Sequence, residues 1–102
     1  MAHQPIIENE SIDALYAAVL KLGSVEECYN FFEDLCTIHE IQSMAQRFHV
    51  ALMLDKGETY HKIVEVTGAS TATISRVNRC LNYGAGGYQV ALDKMKEQKE
   101  DE

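Results

Sequence analysis

Four hydroxyl side chains follow Gly68 within a few residues; they belong to Ser70, Thr71, Thr73 and Ser75. Residues of this kind favour the first turn of a helix, where backbone N–H groups have no intrahelical partner. These N–H groups and the helix dipole attract anions, and phosphate above all. The cluster therefore indicates either a simple helix cap or a contact with a phosphate backbone.

Positive charge is concentrated in the same part of the chain. Residues 1–55 carry nine acidic and two basic groups (−7), and residues 84–102 carry five acidic and three basic groups (−2). Residues 56–83 instead carry four basic and two acidic groups (+2), so the total is −7. The groups of this middle segment are Lys56, Lys62, Arg76 and Arg79, with Glu58 and Glu65. Because local charge decides contact with phosphate, the acidic total does not exclude nucleic acid.

His61 and Lys62 lie where a short helix before Gly68 should begin. A cation in the first turn opposes the helix dipole by roughly 0.3 to 1 kcal/mol. A nearby phosphate would reverse this penalty, although Lys62 can equally be an ordinary surface lysine. We therefore count both residues among the candidate nucleic-acid contacts.

The elements that must position these residues are all helical. Apolar residues recur at i, i+3, i+4 and i+7, as in Ile41, Met44, Ala45 and Phe48, and no window alternates like a strand. Capping signals at Ser24, Thr37, Thr59 and Ser70 divide the chain. The pattern predicts six helices, over residues 11–22, 25–35, 38–55, 60–66, 71–82 and 87–97.

The segment from Tyr60 to Arg79 has the layout of a helix-turn-helix. Gly68 occupies the sharp turn, where a positive φ is expected. Four residues should pack the two helices together, namely Ile63, Ala69, Ile74 and Val77. The second helix then turns a polar side toward a DNA major groove. The candidate DNA contacts are His61, Lys62, Ser70, Thr71, Ala72, Thr73, Ser75 and Arg79.

The first predicted helix, SIDALYAAVLKL, is apolar on nearly every side. Such a helix needs to be buried all round, and a chain of 102 residues has little interior in which to bury it. We therefore predict a homodimer. Residues 1–102 should form a single domain, with dimerisation helices at about 11–55 and the helix-turn-helix at about 59–82.

Other classes of function find little support in the sequence. Three cysteines without C-x-x-C spacing and four scattered histidines favour structural residues in a helical core over a metal or redox site. The sequence has no Ser/His/Asp or Cys/His arrangement at useful spacing, no phosphate-binding glycine loop and no pair of carboxylates in an apolar setting. It therefore does not suggest an enzyme. The N-terminus lacks the pattern of a secretory signal, and no apolar run is long enough for a membrane helix. We expect a cytoplasmic protein without a cofactor.

The string GASTATISR resembles the turn and recognition helix of the Trp repressor family, a known helix-turn-helix family. The segment from Leu35 to Glu58 is similar in spacing, with a threonine and an arginine ten residues apart. STATISRVNRCLNYG resembles the YerC/YecD-type Trp-repressor-like proteins more strongly. The resemblance covers about residues 35–84 and implies an all-α, six-helix, interlocked homodimer that regulates transcription.

The resemblance also implies a pocket for a small-molecule corepressor. By position, its threonine and two arginines are Thr37, Arg47 and Arg76. Two further positions depart from the family: this chain has Val77 where the Trp repressor has a glycine, and Cys80 where it has a serine. A branched side chain would crowd an indole ring.

Each polar residue of this pocket can also serve a different role. A capping box with Glu40 accounts for Thr37, Arg47 can pair with an acidic residue of the partner chain, and Arg76 can face DNA. We therefore expect a sequence-specific regulator whose effector is not tryptophan. Two alternatives stay open: a tryptophan-responsive repressor, and a dimeric helical interaction protein that no longer binds DNA.

Overall fold

The computed structural model describes the backbone of residues 4–101 and the side chains of residues 4–97. Within this range the chain forms six helices and no strand, which confirms the predicted all-α, six-helix fold. Five helices agree with the predicted bounds to within one residue, and the last continues to Asp101 instead of ending at residue 97. Residues 1–3 and 102 of the predicted domain lie outside the described part. The helices are α1 (Glu10–Lys21), α2 (Val25–Leu35), α3 (Ile38–Asp55), α4 (Tyr60–Thr67), α5 (Thr71–Tyr83) and α6 (Gly87–Asp101).

Side-chain caps begin the helices where the sequence placed them. Thr37 and Glu40 form a reciprocal box: Glu40 N–H donates to Thr37 Oγ1 at 3.1 Å, and Thr37 N–H donates to Glu40 Oε1 at 2.8 Å. These hydrogen bonds hold the pKa of Glu40 below its ordinary value. The contribution of the box to stability is therefore present above the ordinary glutamate pKa and is lost as the pH falls through the lowered one. Before α2, Ser24 caps as expected, and Glu27 accepts from Gly23 N–H.

The chain divides into two compact units, Met1–Gln42 and Ser43–Glu102. In the first unit neither α1 nor α2 contains a buried residue. Its exposed apolar side chains include Leu20 (83% exposed), Val25 (73%) and Tyr29 (70%). The apolar side chains of α1 are therefore not fully buried within one chain.

The second unit contains the buried core. Val50 and Ala51 of α3 pack with residues of α4, the turn and α5, and Met53, Leu54 and Tyr88 cover this cluster in part. Leu92 of α6 is also buried. The four residues predicted to pack the helix-turn-helix are each at most 2% exposed, which confirms that prediction; they are Ile63, Ala69, Ile74 and Val77.

The apolar stripe that defined α3 in the sequence is not the side buried within the chain. Met44 and Ala45 are exposed, and Phe48 and Leu52 are only half-buried. The buried α3 positions are Val50 and Ala51, so this helix is apolar on more than one side. A periodicity cannot tell which apolar side packs within the chain and which is left for a partner.

An ion pair connects α6 to the end of α3. Lys96 Nζ lies 2.8 Å from Asp55 Oδ2. The hydrogen bond and the negative charge of Asp55 raise the pKa of Lys96, so the pair persists over the neutral range. Because the lysine side chain is 59% exposed, the pair adds little stability compared with the apolar core.

No helix in the described part of the chain combines the length and the hydropathy needed to cross a bilayer.

The difference in burial between two neighbouring residues of α4 predicts how much each contributes to the free energy of unfolding. Ile63 is completely buried, whereas the neighbouring Val64 is 36% exposed. Ile63→Ala should lower the free energy of unfolding by about 2 to 5 kcal/mol, because it removes buried methyl groups and leaves a cavity. Val64→Ala is the matched control and should change it by no more than about 0.5 kcal/mol. Urea unfolding of all three proteins at one protein concentration measures the difference, and equal losses would contradict this assignment of the core.

Candidate nucleic-acid interface

The helix-turn-helix consists of α4, a short turn and α5. Gly68 ends α4 with φ 73° and ψ 4°, which confirms the predicted positive φ. A Cβ at this position would meet no neighbour within 4 Å, so the backbone conformation rather than space demands glycine. Gly68 N–H donates to Val64 O at 2.9 Å and closes the last turn of α4. Only three residues, Gly68, Ala69 and Ser70, separate α4 from α5.

The N-terminus of α5 is capped by its own hydroxyl groups. Ser70 Oγ accepts from Thr73 N–H and donates to Thr73 Oγ1, both at 3.1 Å. Thr73 is half-buried, whereas Thr71, Ala72 and Ser75 are exposed. Because Ser70 and Thr73 bind each other, Thr71 is the better placed of the two threonines for a contact with DNA.

One side of α5 is buried and the other is exposed. Ile74 and Val77 point into the core, while Arg76 and Arg79 are exposed. A helix held from one side and polar on the other has the arrangement that major-groove recognition needs. Exposed arginines can bind phosphate, or can contact guanine through both O6 and N7.

The start of α4 adds two more candidate contacts. Lys62 is exposed, and its N–H donates to the Thr59 cap at 3.1 Å. His61 Nε2 lies 3.6 Å from Glu65 Oε2, and both side chains are largely exposed. Glu65 therefore partly offsets positive charge at His61 when the histidine is protonated, which leaves Lys62 as the stronger candidate for a phosphate contact.

The five candidate ligand residues do not share one environment. Thr37 belongs to the first unit, and the other four belong to the second. Arg47, Arg76 and Cys80 are exposed, whereas Val77 is 2% exposed within the core. A cleft of about 390 Å³ contains Cys80 and is lined by neither arginine. Its lining residues are Phe48, Cys80, Ala85, Gly87, Tyr88 and Ala91.

The cysteines differ from the expectation of a helical core. Cys28 and Cys36 are half-buried and Cys80 is exposed, so none of the three is fully buried. The expectation is wrong for the single chain, because α2, which contains Cys28 and ends just before Cys36, buries no residue within it. Among the described residues no group of three histidine, cysteine or carboxylate side chains is arranged to hold a metal ion.

Sequence reasoning missed one contact of the turn. The side-chain amide of Gln46, on α3, donates to the carbonyl oxygen of Thr67 at 3.1 Å. The only signal in the sequence was Thr67 itself, a polar residue at a position where helix-turn-helix motifs are usually apolar. Glutamines on helices are common, and nothing in the sequence pairs this one with a carbonyl twenty-one residues away.

Three comparisons with known proteins agree with this architecture. The family described as Trp repressor protein matches residues 10–96. The protein YerC of Bacillus subtilis (strain 168) is 60% identical over 91 residues, which cover 89% of this chain and 88% of YerC.

Two solved structures are similar in both fold and sequence. One is a protein from Staphylococcus aureus classed provisionally as a Trp repressor, with a TM-score of 0.84, 50% identity, and coverage of 87% of this chain and 89% of that one. The other is a TrpR-like protein from Eubacterium eligens ATCC 27750, with a TM-score of 0.84, 52% identity, and coverage of 87% and 92%. The chain belongs to the Trp repressor family, a family of DNA-binding regulators rather than enzymes.

Proposed function

We propose that this chain is a sequence-specific transcriptional regulator that binds a near-palindromic DNA operator as a homodimer. The observation that carries the proposal is the two-sided environment of α5. Its apolar side is buried through Ile74 and Val77, while its hydroxyl and guanidinium groups are exposed. Operator DNA in bacteria lies in the cytoplasm, so the protein would act there.

The roles of the candidate DNA contacts follow from their positions. Thr71, Ala72 and Ser75 lie on the first turns of α5 and would meet base edges, since recognition helices enter the groove with their N-terminal residues. Lys62 and Arg79 would neutralise phosphates on either side of the groove. His61 and the Ser70–Thr73 cap would add hydrogen bonds to the backbone, which position the helix without reading sequence.

The homodimer is supported by apolar surface that one chain leaves uncovered. The α1 and α2 helices bury no residue within the chain, and a second copy is the partner that supplies an equally apolar surface. An obligate dimer of interlocked chains would bury roughly 2,000 Å² or more. Two copies of α5 would then enter successive major grooves roughly 34 Å apart.

L-Tryptophan has no role in the proposed function. Val77 is part of the core that holds α5, beside Ile74 and Ala69, so its isopropyl group occupies space that a glycine would leave open. Opening that space for an indole ring would cost about 1 to 3 kcal/mol. Either the dimer binds DNA unaided, or a smaller anionic ligand binds at Arg47 and Arg76.

The first test concerns assembly. Light scattering at low micromolar concentration should give twice the chain mass of 11.5 kDa. Leu20→Glu places a carboxylate on the exposed apolar surface of α1 and should shift the mass toward that of one chain, because a buried charge would be unpaired. Lys21→Glu, at the next position, is the matched control and should stay dimeric. A wild-type monomer would contradict the dimer.

A second test concerns DNA. Fragments selected by the wild-type protein from a random library should share a near-palindromic site. Lys62→Ala should weaken binding to all fragments and lower the slope of log K against log salt by about 1, while Thr71→Ala should change the preferred bases. Lys94→Ala removes an exposed lysine of α6, outside the helix-turn-helix, and should leave the slope unchanged. If the wild-type protein selects nothing at low salt, the dimeric interaction protein replaces the regulator.

The effector is tested by adding L-tryptophan. Isothermal titration should show no binding to the wild-type protein below roughly millimolar concentration, and DNA affinity should change by less than about twofold. Val77→Ala keeps a strong helix former at this position, removes two methyl groups, and should bind tryptophan more tightly than wild type. Tight binding of tryptophan to the wild type, with no gain in affinity in the variant, would identify the protein as a tryptophan-responsive repressor.

A further inference from the structure

The Gln46–Thr67 hydrogen bond lies at a place where an α-helix leaves a carbonyl without a partner. Thr67 is the last residue of α4, and the chain reverses at Gly68, so no N–H from a following turn can reach the Thr67 carbonyl. The Gln46 amide meets it instead, at 3.1 Å and in a partly buried setting. Among residues 4–97 this is the only hydrogen bond that connects α3 to the helix-turn-helix.

The other polar groups around Thr67 are also satisfied. Its hydroxyl group donates to Ile63 O at 2.7 Å and accepts from Ala69 N–H at 3.1 Å. The side chain of Thr67 therefore fixes the turn to α4, and its carbonyl fixes the turn to α3. Both contacts therefore act on the turn, Gly68 to Ser70, that precedes α5.

Apolar packing constrains the direction of a helix less tightly than a hydrogen bond does. Apolar contacts such as those of Val50 with its neighbours are non-directional and tolerate small shifts of one helix against another. A hydrogen bond to a backbone carbonyl requires a short distance and a favourable angle. It therefore selects one position of the turn among those that the core would allow.

We propose that Gln46 is a positioning residue for DNA recognition: it holds the turn so that α5 is presented to the major groove in one orientation. The inference rests on the proposed DNA-binding function and adds to it a residue that itself contacts no DNA. Without the bond, only a fraction of the molecules would have α5 in the binding orientation, and the apparent affinity falls in proportion to that fraction.

Two substitutions distinguish the effect of the hydrogen-bond donor of Gln46 from the effect of its side-chain shape. Gln46→Met has a similar length and no donor, and it should weaken binding to the selected DNA about 3- to 10-fold. Gln46→Glu keeps the shape but presents a carboxylate to the Thr67 carbonyl, and it should weaken binding further. Because the molecules that bind make the same phosphate contacts, plots of log K against log salt should stay parallel to that of the wild type.

The matched control removes a different polar contact of the same central helix. Lys96→Met abolishes the ion pair with Asp55, which links α3 to α6 and not to the helix-turn-helix. Because the Lys96 side chain is largely exposed, thermal stability should fall only slightly, and DNA affinity should stay within about twofold of the wild type. All variants are assayed well below their unfolding temperatures, so a Gln46→Met protein that binds DNA as tightly as Lys96→Met would overturn the proposal.

Amide hydrogen exchange provides a readout that needs no DNA. In Gln46→Met the N–H of Ala69, which donates to Thr67 Oγ1, should exchange faster than in the wild type, while amides in the middle of α6 keep their rates. Unchanged exchange at Ala69 would overturn the positioning role whatever the DNA results. If the wild type binds no DNA but Ala69 exchanges faster in Gln46→Met, Gln46 does hold the turn, and it is the proposed DNA-binding function that is wrong.

Discussion

Ile63 of α4 and Ile74 of α5 are completely buried in one cluster with Val50 and Ala51 of α3. The exposed features of the helix-turn-helix depend on this packing. Thr71, Ser75 and the two arginines lie on a helix of only thirteen residues, and short helices have little stability of their own in water. Burial of the opposite side holds α5 in place and leaves the polar side available to a partner.

Burial is distributed unevenly along the chain, and this links folding to assembly. The second unit has a core of its own, whereas α1 and α2 of the first unit have none. Exposed apolar side chains such as Leu20 gain little from the hydrophobic effect unless another apolar surface covers them. The same chain thus combines a helix-turn-helix unit that packs internally with an N-terminal unit whose apolar side chains stay largely exposed.

Charge and packing account for what this chain shares with its family and where it differs. The arginines at positions 47 and 76 are exposed and retain the chemistry for an anion. Val77 is committed to the core, so a position that is glycine in the Trp repressor contributes here to the stability of the helix-turn-helix. The buried side of the helix-turn-helix therefore accommodates a branched side chain at this position.

The sequence by itself determined the helices, the turn and the buried side of the recognition motif. Caps such as Ser70 and the φ of Gly68 depend on residues close in sequence, and the spacing of Ile63, Ala69, Ile74 and Val77 repeats that of a helix. Tertiary structure decided which apolar side of α3 is buried, that Thr73 is bound to its own cap, and that Gln46 meets the Thr67 carbonyl. Periodicity records that a side is apolar without recording what covers it, and a hydrogen bond between residues far apart in sequence depends on a distance that only the folded chain sets.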